Sequence, residues 1–292
     1  MKKFLLKIAT YIVITVGIMA LLDVAYTKIY ENRPARSKFQ YLRSLSNQKI
    51  DYAFLGSSRV DNFIVPNLIL EKTGKSAANL GFQASKPNDI WTVLQLLKAY
   101  NIQTRHVYAQ MDYAYNINGH SNIMEYEMIP FIRDNTITRN HYDYRNDRFA
   151  LYYVPFYRYG TFDYKIGFRE VFMNLIKKPS HITQNRGYNA LFGDGEFGRT
   201  DLPVSIEEKN LEVDSISAFA LKNNTALDYF FSPVHPKVKN QHFAAKLKTK
   251  LPLLLDYSKA IQDEAAFKNY FHLNDVGAKA FTQKFIDDQL KK

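Results

Sequence analysis

Asp51-Tyr-Ala-Phe-Leu-Gly-Ser-Ser-Arg-Val60 decides how the rest of the chain is read. The apolar run Tyr52 to Leu55 is too short for a helix and stops at Gly56, which marks a buried strand running into a tight turn. Beyond the turn, Val60 to Leu70 carries apolar residues at helical spacing. A strand, a glycine turn and a helix place the Ser58 hydroxyl at the carboxyl end of a strand, where open α/β sheets bind their ligands.

Outward from this unit the same alternation recurs. Strands are predicted over 76–80, 105–111, 226–231 and 251–255, with helices over about 60–72, 90–100, 205–223, 241–248 and 275–289. Pro66 interrupts or opens the first of these helices. Strands alternating with helices predict an α/β fold, a doubly wound parallel five-stranded sheet of flavodoxin-like type, with right-handed connections. The alternation stops between about 113 and 205, where Tyr, Phe, Asn and Arg dominate, as in Tyr152-Tyr-Val-Pro-Phe-Tyr-Arg-Tyr159. This region reads as an aromatic-rich insertion or lid, helical in part over 165–176.

Phe4 to Tyr26 is apolar apart from Lys7 and Asp23, and Ile8 to Leu22 carries no formal charge. A run of this length spans a bilayer as a helix. No small-x-small cleavage site follows, so an uncleaved anchor is favoured over a removed signal. The expected organisation is an anchor at 1–27, a juxtamembrane stalk at 28–49 and an α/β domain at 50–292. Basic residues flank the span on both sides, so their count leaves the orientation open.

The 292 residues carry a net charge of +11 and no cysteine. That excludes disulfides and thiol chemistry. It points the basic surface toward anionic membranes, polymers or glycans, since no nucleic-acid-binding motif accompanies the charge. Residues 1–30 hold only four lysines against Asp23, so most of the charge lies beyond the anchor. Gly74-Lys-Ser76 is no phosphate loop, because Ile69 stands where the first glycine belongs. The seven histidines have no metal-ligand spacing, so no metal or cofactor is expected.

Asn269-Tyr-Phe-His-Leu-Asn-Asp-Val-Gly-Ala278 precedes the last helix. A histidine on that loop can reach a serine at the end of the first strand, and a neutral imidazole there takes the hydroxyl proton. The N–H groups of Ser58 and of Gly81, which follows the neighbouring second strand, are candidate oxyanion donors. Arg59 binds an anion or pairs with a carboxylate. His235, between two prolines at the end of the fourth strand, contacts substrate or fixes a turn.

Gly-Ser-Ser after the first strand, Asn-Leu-Gly after the second and His-Leu-Asn-x-x-Gly-Ala before the last helix resemble the SGNH/GDSL hydrolases over residues 50–112 and 205–290. The likeness is to membrane-anchored members with Gly-Ser-Ser-Arg in place of Gly-Asp-Ser, such as the D-alanyl transfer and alginate O-acetylation proteins. It implies Ser58 as nucleophile, His272 as base and Gly81 in the oxyanion hole. It also implies a bacterial serine esterase or O-acyltransferase outside the cytoplasm, in the periplasm or at the cell surface. The expected substrate is an acyl, chiefly acetyl, ester of a cell-surface or exported polysaccharide, and a multi-spanning membrane acyltransferase is an implied partner. Two positions depart from the family. Asn269 stands where an aspartate orients the histidine, and the Gly-x-Asn-Asp block is missing, leaving Asp112 or Asn116 in its place. The alternative is a retained fold without catalysis that binds glycan or a partner in an envelope assembly.

Overall fold

The computed structural model describes residues 1–195, 198 and 201–291. Five strands, β1 (Lys49–Gly56), β2 (Ala77–Gly81), β3 (Gln103–Gln110), β4 (Leu227–Phe231) and β5 (Leu255–Asp256), form one sheet in the order β2-β1-β3-β4-β5. All neighbours run parallel, as the alternation of strand and helix predicts. The chain steps from β1 to β2 on one side and then crosses to β3 on the other. The switch point therefore lies between the carboxyl ends of β1 and β3, where a crevice opens.

Side chains at alternate positions build the two faces of the sheet. Phe54, Tyr108 and Phe230 turn to one face, where the helix Asp275–Phe285 covers them. The Phe285 ring lies 5.4 Å from Phe54, 4.9 Å from Tyr108 and 5.5 Å from Phe230. Each such ring contributes about 1.5–3 kcal/mol through burial. Ala53, Leu55, Val107 and Ala109 are buried on the other face, under the helices Pro87–Ala99 and Leu211–Lys222, whose Trp91 and Phe219 meet edge to face at 5.1 Å.

Several element ends differ from their sequence expectation, for local reasons. Two helices replace the single one expected over 60–72, namely Ser58–Asp61 and Pro66–Thr73. Pro66, which lacks an N–H, sits in the first turn of the second. The helix expected from 205 begins at Leu211, where the Asn210 side chain accepts from Val213 N–H as a cap. The stretch 165–176 is split at Gly167, where a Cβ would overlap Asp163. Of the strand expected over 251–255 only Leu255 pairs, joined by Asp256, because 251–254 form a turn that contains Pro252 and closes with Leu254 N–H donating to Leu251 O at 2.9 Å.

Two compact units form. One comprises Met1–Gln40 with Glu125–Ser180, and the other Tyr41–Met124 with His181–Lys292. The central part of the aromatic-rich region thus groups with the N-terminal helix, while 113–124 and 181–205 group with the sheet. In the first unit the helix Lys2–Asn32 is continuous past the expected end of the anchor. Its apolar window, mean hydropathy 2.2, is wholly unburied and long enough to cross a membrane. Further along, Asp23 is buried and accepts from Arg133 Nη1 at 2.9 Å, Arg158 Nη2 at 2.8 Å and Phe156 N–H at 2.9 Å. These donors are what make a buried carboxylate tolerable. One turn later Tyr26 packs against Phe156 and Tyr159, and two turns later Tyr30 packs against Phe131.

In the second unit, β1 and β2 are in register from Tyr52–Ala77 to Gly56–Gly81. The short helix after β1 crosses so close to β2 that a Cβ on Gly81 would lie 2.6 Å from Val60 Cβ and 2.7 Å from Ser57 O. Gly81→Ala is expected to lower stability by about 1–3 kcal/mol, read as a lower urea midpoint for the sheet unit.

Candidate active site

Ser58 and His272 are 214 positions apart and meet at the carboxyl edge of the sheet. Ser57 caps the helix Ser58–Asp61, its Oγ accepting from Arg59 N–H. Ser58 is therefore the first helical residue, and its own N–H has no intrahelical acceptor. From the other side, the loop bearing His272 is closed by a Phe267–Leu273 bridge and by Lys268 N–H donating to His272 O at 2.8 Å. Asn274 then caps the last helix by accepting from Gly277 N–H at 3.0 Å. Between these two supports His272 Nε2 lies 2.7 Å from Ser58 Oγ.

Asn269 decides which nitrogen of that ring carries the proton. Its Oδ1 accepts from the backbone N–H groups of Phe271 at 2.8 Å and His272 at 2.9 Å. This is a turn that asparagine forms readily. Two backbone donors can face only the amide oxygen, so that same oxygen faces His272 Nδ1 at 3.1 Å. Nδ1 must then donate, which leaves the Nε2 lone pair for the Ser58 hydroxyl. The Asn269 amide thus supplies the base-competent tautomer, although it brings no negative charge.

Burial, helped by the Arg59 charge, lowers the His272 pKa to about 4, with Asp61 pulling the other way. The imidazole is therefore neutral, and able to act as a base, through the whole range above that value.

Arg59 points into the protein and is 3% exposed. Its Nη1 pairs with Asp112, and its guanidinium lies over Tyr113 at 4.5 Å and near Phe271 at 5.8 Å. Asp112 also accepts from Gln110 Nε2 at 2.7 Å and Ala114 N–H at 3.0 Å. An ionised carboxylate so employed has no hydrogen to give an oxyanion. Asn116 is committed elsewhere, donating to Ser205 O and accepting from Glu207 N–H. Gly81 N–H donates to Asn79 Oδ1 at 3.2 Å, so of the two candidate donors Ser58 N–H is the one without an acceptor among the described residues. His235 is buried against Phe267 and Tyr270, with Nδ1 accepting from Lys237 N–H.

Three residues have structural roles here that the sequence did not reveal, although Asn79 stood in the Asn-Leu-Gly block. Gln110 Oε1 accepts from both Ser57 N–H and Ser57 Oγ at 2.8 Å, fixing the turn that presents Ser58. Asn79 Nδ2 donates to Val60 O at 2.6 Å and Ile64 O at 2.8 Å, tying β2 to the segment after Ser58. Asp61, 1% exposed, accepts from Asn189 and Gln83. For Gln110 the signal was a polar residue at the end of a buried strand, and for Asn79 its place in the Asn-Leu-Gly block. Next to the dyad lies a cavity of about 200 Å³ lined by Arg59, Tyr113, Leu202, Val234, Tyr270 and Phe271, among others.

No family model matches this sequence, and neither does any curated protein. Among solved structures, one from Streptococcus pneumonia described as a "putative platelet activating factor" resembles it with a TM-score of 0.40 and 11% identity, covering 95% of this chain and 98% of the other. A likeness at that level says nothing about chemistry, which is carried here by the site itself.

The folded chain leaves His272 unprotonated between 6.5 and about 4, while the unfolded chain binds a proton there. This histidine's contribution to stability therefore falls as pH drops through that window. The His272 ring is expected to titrate by NMR with a midpoint of about 4, and Asn269→Asp to raise that midpoint, since a carboxylate favours the imidazolium.

Proposed function

We propose that the sheet unit is a serine esterase or O-acyltransferase acting on acyl, chiefly acetyl, esters of a cell-surface or exported polysaccharide. The 2.7 Å contact between Ser58 Oγ and His272 Nε2, with the tautomer fixed by Asn269, carries this reading. Nε2 takes the hydroxyl proton as Ser58 Oγ bonds to the ester carbonyl carbon. The tetrahedral oxyanion lies against Ser58 N–H, and against Gly81 N–H once that donor leaves Asn79 Oδ1. The C–O bond to the alcohol then breaks, the leaving oxygen takes the proton from Nε2, and acyl-Ser58 remains. Water, or an acceptor hydroxyl deprotonated by His272, attacks the acyl carbon and releases Ser58.

Asn269 stabilises the imidazolium formed in these steps less than a carboxylate would. The mostly apolar cavity beside Arg59 and Phe271 suits the acyl side of an ester. The basic charge and the exposed apolar N-terminal helix support a protein held at a membrane, and the family resemblance suggests that the sheet unit lies outside the cytoplasm. The family resemblance adds a multi-spanning acyltransferase as partner.

A second reading rests on Asn269 and on the bond from Gly81 N–H to Asn79: a fold kept for binding glycan or an assembly partner without turnover. Reaction with an alkyl fluorophosphonate separates the two. The wild-type protein is expected to label and to hydrolyse p-nitrophenyl acetate, with kcat/KM falling on an acid limb near pH 4, and Ser58→Ala to do neither. Asn269→Asp is expected to move that limb upward and raise kcat about tenfold, the value of roughly one pKa unit of imidazolium stabilisation. A folded wild-type protein that neither labels nor turns over ester would leave the binding reading.

A further inference from the structure

In the unit formed by Met1–Gln40 and Glu125–Ser180 the distance along the N-terminal helix can be set against a bilayer. From Lys2 to Asp23 the helix rises about 30 Å, the thickness of a hydrocarbon core. Residues 1–18 are all exposed, and packing against the unit begins at Met19 and Ala20. If the helix spans a bilayer, Asp23 therefore lies at headgroup depth.

The side chains gathered at that depth carry more positive than negative charge. Asp23 is shared by two arginines, and the buried Arg158 keeps Nε and Nη1 without an acceptor. Arg133 reaches from Asp23 to the Tyr152 carbonyl, donating from Nη2 at 2.7 Å. Tyr152 thus lies one guanidinium away from the point where the helix meets the interface. Around it opens a pocket of about 360 Å³ lined by Arg139, Asp143, Arg148, Phe149, Tyr152 and Tyr153, among others.

Arg139 stacks on Tyr152 at 4.4 Å and donates to the Tyr153 hydroxyl at 3.2 Å. Among the described residues no carboxylate pairs with it. Arg148 donates from Nη1 to the Asp143 carbonyl at 2.8 Å and meets the Asp143 carboxylate only as an exposed pair at 3.7 Å, which is worth little in water. Phe149 is 69% exposed and Tyr153 52% exposed on the same short helix. Amphipathic rings beside unneutralised guanidinium groups are the composition of a membrane interface.

We propose that this pocket binds the phosphate of an anionic phospholipid headgroup, with Arg139 and Arg148 facing the phosphate and Phe149 entering the acyl region. The inference rests on the membrane-anchored reading above and is independent of the serine chemistry. Arg139 offers a planar fork suited to phosphate, and juxtamembrane cations gain from an anionic leaflet. Docking here would hold the unit against the surface in addition to the helix.

The test uses the full chain reconstituted into vesicles of phosphatidylcholine alone or mixed equally with phosphatidylglycerol. Phe149→Trp is combined with Trp91→Phe, which removes the one native indole, so that all tryptophan emission comes from the pocket. Lipids brominated along the acyl chain then report the depth of that fluorophore. Quenching is expected to be stronger with phosphatidylglycerol. Arg139→Ala and Arg148→Ala are each expected to shift the docked-to-undocked ratio about fivefold, with circular dichroism checking the fold. Inorganic phosphate added to phosphatidylcholine vesicles should not reproduce the effect. If it does, the pocket takes free phosphate and the lipid assignment falls. Equal quenching in both lipids, untouched by the arginine variants, overturns the proposal while leaving the anchor intact. Failure of the chain to float with vesicles at all would remove the anchor and the proposal together.

Discussion

Asp112 is the point on which the site's architecture turns. It is a buried carboxylate just past the end of β3, and its charge must be compensated where it stands. Arg59, from the segment after β1, supplies the compensation, and Gln110 links the same carboxylate to Ser57. The turn presenting Ser58 is thereby tied to the neighbouring strand across the switch point. The Arg59 side chain cannot reach Asp112 without lying inward, and lying inward it forms a wall between Tyr113 and Phe271. One ion pair thus orients the turn that carries Ser58, lines the adjoining cavity and adds a nearby cation to the burial that keeps His272 neutral.

His272 shows how one atom can satisfy a fold and a chemistry together. The Asn269 oxygen closes its own turn with two backbone N–H groups, and the third donor it accepts is the histidine ring. The local geometry that builds the loop also selects the tautomer. An aspartate there would meet the same donors and add charge. The difference between the two lies in how strongly the protonated ring is held, while its orientation is common to both.

Much of this was legible from residue order alone, because apolar runs ending at Gly56 and Gly81 and the alternation of strands with helices carry local information. The parallel sheet with helices on both faces follows from it. Pro66 and the turn containing Pro252 moved element ends, which pattern reading sees only as interruptions. The roles of Asp112, Gln110 and Asn79 were hidden for another reason. Each depends on a partner brought close by the fold, 53 positions away for the Arg59–Asp112 pair. The grouping of residues 125–180 with the N-terminal helix was hidden in the same way, since Asp23 and Arg133 are separated by 110 positions. In the sequence, Asp23 reads only as a blemish in an apolar run.

That blemish has a mechanical meaning. An α-helix advanced by one residue turns through about 100°, which would swing Asp23 away from both arginines and the Phe156 amide. Sliding or spinning the helix therefore means stripping a buried charge of its partners. The helix is consequently a keyed shaft rather than a tether, and a force applied to its exposed end is delivered to the unit around Arg133 and Arg158 as a displacement of the whole, with little slip between them.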